Sequence, residues 1–205
     1  MSDIFPSHDV YKHVIVPIMK KYGRNNLVFE LCVYEPHRKY EKPKQTLHRV
    51  SALDLEDEVN FLNSSENQNY EIALSSRVFL RSSLETAHHI PMIDMKGTHK
   101  TGLLEIENYL VNQIPELSNL LWFKSGRSFH AYGTHLLDSS LWYVFMAKLI
   151  MLCAKNKQLL QPVQKWLSHR QSDSFACLRL TNRTKKFRCT PSLLALSKLH
   201  LGITN

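Results

Sequence analysis

The stretch LLWFKSGRSFHAYG, residues 120–133, reads as a strand, a tight turn around Gly126 and a second strand, because aromatic-rich runs flank a short polar SGRS segment. Immediately upstream, TGLLEIENYLVNQI (residues 101–114) places Leu103, Leu104, Leu110, Val111 and Ile114 on one helical face, with Glu107 in the same segment. Before that helix, Ile90 to Met95 is a short apolar strand bounded by Pro91 and Gly97, and Asp94 sits near its end. Downstream, the pattern predicts a helix from Ser139 to Ala154 with Asp138 or Ser139 as its N-cap. It then predicts a strand from Phe175 to Leu180, a basic turn TNRTKK, and a last helix after Pro191.

Toward the N-terminus, Val10, Val14, Ile18 and Met19 repeat at helical spacing from His8 to Tyr22 and stop before Gly23. Asn26 to Glu35 is a β-rich run closed by Pro36, and PHRKYEKPKQ reads as a loop or hairpin end. An acidic helix is expected from Leu53 to Leu62, turn chemistry in SSENQN, and an extended segment within Tyr70 to Leu80. This mixture is an α/β (α+β) chain. At 205 residues it fits a single domain, 1–205, divided into an N-terminal α/β portion (1–86), a motif-bearing core (87–191) and a C-terminal helix (192–205).

Charge narrows the partners. The net charge is +8 and the pI about 9.3. From Leu160 onward Lys165, Arg170, Arg179, Arg183, Lys185, Lys186, Arg188 and Lys198 face Asp173 alone. Such a concentration fits a polyanion, and a solvated basic face is the alternative. No stretch approaches the roughly 20 apolar residues of a membrane span. The longest, Leu141 to Leu152, contains Lys148 and reads as a buried helix. MSDIFPSHDVYKH lacks the apolar core of a secretion signal, so a cytoplasmic protein is expected. The four cysteines Cys32, Cys153, Cys177 and Cys189 form no CxxC pair, and His88 and His89, as neighbours, diverge from one another. Neither group reads as a metal site or disulfide framework.

Three patches carry chemistry. Asp94, at a strand end, is a carboxylate suited to Mg²⁺ or Mn²⁺. Lys124, Ser125, Arg127, Ser128 and His130 gather cations, hydroxyls and an imidazole around a Gly turn, a set suited to a triphosphate, with a plain solvated hairpin as the alternative. Arg179 interrupts an apolar run ahead of Arg183, Lys185, Lys186 and Arg188, a platform for phosphates on which Phe187 could stack a base. An ordinary exposed hairpin is the alternative there.

In this order the patches resemble the archaeo-eukaryotic primase superfamily, including its bacterial primase-polymerase branches, over Ile90 to Pro191. The resemblance implies a central, mostly antiparallel RRM-like sheet flanked by helices. In that family a D-x-D strand binds the catalytic metals, a later S-x-H binds the incoming nucleotide, a third acid completes the metal site and a basic strand follows. Ser128-Phe129-His130 matches S-x-H. Asp94 matches one D-x-D position, while Lys96 or Met92 holds the other, and Asp173 is the sole acid near the third position. Two-metal phosphoryl transfer needs several carboxylates around cations about 4 Å apart. Glu85, Glu105 and Glu107 are the other acids available to complete the set.

The resemblance therefore implies a primase-like protein, active in DNA replication or defence, that binds nucleic acid or a nucleoside triphosphate and whose catalysis is impaired. In that reading Asp94 and His130 are the residues in the catalytic positions. The alternatives are an active primase-polymerase, a metal-dependent nucleotidyltransferase, and a basic module for protein partners in a larger system. All versions of the primase reading require the Asp94 strand, the Ser128–His130 strand and the cationic hairpin after Arg179 to converge on one sheet surface.

Overall fold

A computed structural model describes residues 5–36, 45–64, 69–96, 100–114, 117, 119–170, 174–184 and 189–194. The chain opens with helix α1 (His8–Val10), a π-helical turn (Tyr11–Ile15) and helix α2 (Val16–Tyr22). The π turn follows from Pro17, which has no N–H to donate and whose ring would strike the carbonyl four residues back; widening the preceding turn relieves both. Gly23, at φ 85°, ends α2 as the sequence predicts.

The next elements are β1 (Leu27–Tyr34), β2 (Gln45–Ser51), α3 (Leu55–Ser64), β3 (Glu71–Leu80), β4 (Ser83–His89), β5 (Met92–Lys96) and α4 (Lys100–Gln113). They are followed by β6 (Leu121–Ser125), β7 (Ser128–Tyr132), β8 (Leu137–Asp138), α5 (Ser139–Lys155), α6 (Gln161–Arg170), β9 (Cys177–Arg179) and β10 (Ser192–Leu193). The mixed antiparallel class expected from the sequence holds, and the strands divide between two sheets. Sheet A runs β2-β1-β3-β4-β8, with β9 also on β3; sheet B runs β10-β6-β7-β5.

Four elements have no counterpart in the sequence expectations: β2 and β4, whose exposed polar residues blur the alternation, the two-residue β8, and α6. One expectation is corrected. After Pro191 the chain forms β10 against β6, with Leu193 N–H donating to Asp9 Oδ2 at 2.7 Å, where a helix was predicted. Pairing with an open strand edge satisfies the backbone of 192–193 more fully than a helix start would. The remainder of that segment lies outside the described residues.

The switch between sheets occurs at Ile90-Pro91. Ile90 N–H still donates to Ser76 O in sheet A, while Gly133 N–H donates to Pro91 O beside sheet B, both at 2.8 Å. A Cβ on Gly133 would stand 2.9 Å from Pro91 Cγ, so this crossing requires a glycine. Gly133→Ala is expected to cost about 1–3 kcal/mol of overpacking strain, measurable as a lower urea midpoint at unchanged slope.

Helix α4 buries Leu103, Ile106 and Leu110 and is linked to β6 by the Trp122–Glu107 hydrogen bond, and α6 packs along β5. Helix α5 buries Trp142, Phe145, Leu149 and Leu152 against sheet A, capped at Asp138, whose Oδ1 accepts from Leu141 N–H at 2.8 Å as predicted. The buried helix expected over Leu141–Leu152 is buried on that face, while Leu141, Tyr143, Val144, Ile150 and Met151 are exposed. Among the described residues no helix is long and apolar enough to cross a membrane.

Candidate functional site

Strand alternation sorts sheet B into two faces. Asp94 is the direct cross-strand partner of His130, Met92 of Tyr132, and His130 pairs in turn with Phe123 of β6. Because side chains two apart share a face, Asp94, Ser128, His130, Tyr132 and Ser125 stand on one side of the sheet. Trp122 and Lys124 stand on the other. There Trp122 Nε1 donates to Glu107 Oε1 at 2.9 Å, which commits Glu107 to the packing between α4 and β6 and away from Asp94.

Sheet A supplies the cation. Arg179, on β9 opposite Ala73 of β3, is buried and donates from Nη2 to Ser125 Oγ at 2.6 Å across to sheet B. Its Nη1 donates to Cys189 O at 3.0 Å and to Thr181 O. Cys189 Sγ in turn accepts from Gly126 N–H at 3.2 Å, so the Gly turn of the hairpin is tied to the same group. The Asp94 and Ser128–His130 strands are paired and Arg179 reaches the same hairpin at Ser125, while Lys185, Lys186 and Arg188 of the expected cationic hairpin lie outside the described residues.

Several expected members do not join. Lys124 is exposed on the opposite face of β6, and Arg127 is exposed at the hairpin tip. Arg183 donates from Nη1 to Leu62 O at 2.7 Å, at the end of α3. Glu85 and Glu105 are exposed on β4 and α4. Lys185, Lys186, Phe187, Arg188 and Asp173 lie outside the described residues.

Sequence reasoning missed three residues here. Tyr132 is fully buried with no hydrogen-bond partner for its hydroxyl; counting two on from His130 places it on the site face, a signal that was there to be used. Tyr34 of β1 and Glu71 of β3 are cross-strand partners within electrostatic reach of Arg179. Glu71 is buried, and its carboxylate accepts from Thr181 Oγ1, Thr184 Oγ1, Thr184 N–H and Arg183 N–H. It thereby pins the chain that follows Arg179. No local pattern announces such a contact.

The electrostatics follow from burial. His130 is pushed down to about 3, first by loss of solvent and then by Arg179, so its ring is neutral at physiological pH. Its Nε2 lies 3.8 Å from Asp94 Oδ1, and its Nδ1 has no hydrogen-bond partner. A neutral imidazole offers one N–H donor and one acceptor. Burial also raises the Tyr34 and Tyr132 phenols and works against the charge of Arg179, which Tyr34 and Glu71 partly restore. Asp94 keeps about a third of its side chain exposed and is the carboxylate on this face of sheet B.

A pair of divalent cations needs several oxygen ligands, and the described residues around Asp94 do not supply them. Among those residues no cluster of three or more His, Cys, Asp or Glu side chains is placed to hold a metal ion. One partly exposed carboxylate does suit a single hard ion that keeps its water and phosphate ligands.

A family model described as archaeo-eukaryotic primase 1D-like matches residues 49–192. No curated protein and no solved structure matches the chain.

Proposed function

From the premise that the chain belongs to the archaeo-eukaryotic primase 1D-like family, we propose that it binds a nucleoside triphosphate or nucleic acid by its phosphates at the Asp94–His130–Arg179 group, with catalysis impaired. The observation that carries this reading is the cross-strand pairing of Asp94 with His130, with Arg179 brought over from the other sheet onto Ser125. Neutral His130 can donate one N–H to a phosphate oxygen without the cost of burying a new charge. Ser128 adds a hydroxyl on the same face; Arg127 lies outside this group at the hairpin tip, where its exposed guanidinium would take phosphate oxygens that extend beyond it.

Arg179 contributes a fixed positive field, since its own hydrogen bonds hold it in one place. Asp94 would hold one Mg²⁺ or Mn²⁺, which would neutralise phosphate charge that the carboxylate otherwise repels. Arg183, Lys185, Lys186 and Arg188 follow Arg179 in the sequence and would supply positive charge for a nucleic-acid strand. Lys124, on the opposite face, is not part of this proposal.

The impaired-catalysis reading rests on Met92 and Lys96 at the positions where the family's second carboxylate would stand. Binding of a fluorescent nucleoside triphosphate and of single-stranded DNA tests it. His130→Ala is expected to weaken nucleotide binding at least tenfold, and log affinity for DNA should fall linearly with log salt. Incubation with template, nucleotides and Mg²⁺ or Mn²⁺ should give no primer. Primer synthesis that disappears in Asp94→Ala would establish an active primase-polymerase instead, and a flat salt response would leave the basic residues serving a protein partner.

A further inference from the structure

Cross-strand partners share a face of a sheet, and so do residues two apart on one strand. Arg179 of β9 stands opposite Ala73 of β3, which stands opposite Cys32 of β1. Two residues back along β1, Glu30 pairs with Arg49 of β2, and two further back Val28 pairs with Ser51. Arg179, Arg49 and Ser51 therefore lie on one side of sheet A, the side from which Arg179 reaches Ser125.

Three further arginines are fixed on this side. Arg77 grips the buried Glu30 with two bonds, Nε to Oε1 at 2.8 Å and Nη2 to Oε2 at 2.7 Å. Arg49 lies 4.0 Å from the same carboxylate with its guanidinium carbon 3.9 Å from the centre of the Phe79 ring, and donates from Nη1 to Leu84 O at 3.2 Å. Arg81 is exposed and donates from Nη2 to Ser51 Oγ at 2.8 Å. Three guanidiniums around one carboxylate leave a surplus of two positive charges, and Glu85, the acid next to Leu84, is exposed and therefore screened. Half of the Arg49 side chain faces water although the ring and the Leu84 carbonyl hold it still. An incoming phosphate meets a cation that has already lost its freedom, which lowers the entropy cost of binding. Leu47, opposite Cys32 and 37% exposed, adds apolar surface beside these cations.

We infer that this face of sheet A is a nucleic-acid surface, on which a single strand runs from Arg179 past Arg49 to Arg81. The path starts from the phosphate-binding reading of the Asp94–His130–Arg179 group and so rests on it; Arg49 and Arg81 add contacts beyond the reach of a single nucleotide. From Arg179 to Ser51 the face runs three strands across and four residues along, about 14 Å by 13 Å, or about 19 Å on the diagonal. Stacked nucleotides rise about 3.4 Å each, so about six span it. Cations beside apolar surface suit a single strand, whose phosphates and base faces are both accessible, better than a duplex with its bases stacked inside.

Fluorescence anisotropy with labelled oligothymidylates of about 3, 6 and 12 nucleotides, lengths that bracket the span, tests this path. For the wild-type chain, affinity is expected to rise about tenfold from the first to the second and much less from the second to the third. Arg49→Gln combined with Arg81→Gln, which leaves Arg77 on Glu30, should bind the two longer strands about tenfold more weakly at low salt. Its log–log salt slope should be shallower by about 1.4, two phosphate contacts at about 0.7 each. The same variant should bind the shortest strand and a fluorescent nucleoside triphosphate as the wild type does, with a circular dichroism melt that shows it folded. Lys155→Gln combined with Lys157→Gln removes the same charge from exposed positions at the C-terminal end of α5 and should leave the slope unchanged. A slope unaltered by the arginine pair overturns the inference, and so does an equal loss with the lysine pair. Should the wild type bind the longer strands through Arg49 and Arg81 yet bind no nucleoside triphosphate, the surface stands and the reading of the Asp94–His130–Arg179 group falls.

Discussion

Unfolding free energy should fall by about 4 kcal/mol between pH 7.5 and pH 5, roughly 2 kcal/mol for each of two buried histidines whose unfolded forms titrate near 6.5. His89 is held down to about 4, chiefly by burial and then by Arg77 and His88, and His130 to about 3 by burial and then by Arg179. His89 is stacked on Trp142 at 4.7 Å between ring centroids, with Nδ1 3.2 Å from Ser76 Oγ. In the folded state both rings stay neutral over this range. The unfolded chain takes up two protons below pH 6.5, so acid favours unfolding and the stability present above pH 6.5 is lost as pH falls toward the folded-state values. Urea unfolding at several pH values measures the slope. His89→Gln and His130→Gln should each remove about half of it, and a stability unchanged from pH 7.5 to 5 would contradict the burial of both rings.

Glu71→Ala should cost about 3 kcal/mol. The carboxylate receives four hydrogen bonds from Thr181, Arg183 and Thr184, and its removal strands donors in a buried setting, each worth about 1–3 kcal/mol when fully desolvated. Partial exposure of Arg183 and Thr184 keeps the total below the simple sum. Glu71→Gln should recover little, because its amide presents a donor to other donors. The segment it pins follows Arg179 directly, so DNA binding should weaken in Glu71→Ala more than the stability loss explains at a temperature where the variant is fully folded. An affinity equal to wild type under those conditions would limit Glu71 to a purely structural part.

Much of the local structure was legible because local rules governed it. Asp138 caps α5, Gly23 ends α2, and the SGRS segment turns at Gly126 with φ 65°, each from a conformational preference that the residue carries with it. The error at Pro191 has the same origin in reverse. Proline commonly begins a helix, but the open edge of β6 offered 192–193 a better set of hydrogen-bond partners than local preference could weigh. Lys124 shows a related limit: as a member of the basic turn it looked equivalent to Ser125, yet one residue along a strand is the difference between opposite faces.

By itself the sequence determined the alternation that puts Ser128, His130 and Tyr132 on one side of a strand, the helical stripes, and the cationic weight of the last quarter. These depend on spacing along a chain whose backbone periods are known. Only the tertiary structure decided that Asp94 faces His130, that Arg179 reaches Ser125 across 54 residues, and that Glu71 holds Thr181 across 110. Contacts of that kind arise when strand pairing closes long loops, and the loop-closure entropy is offset by buried surface and satisfied hydrogen bonds summed over the whole fold. No short stretch of residues contains that sum.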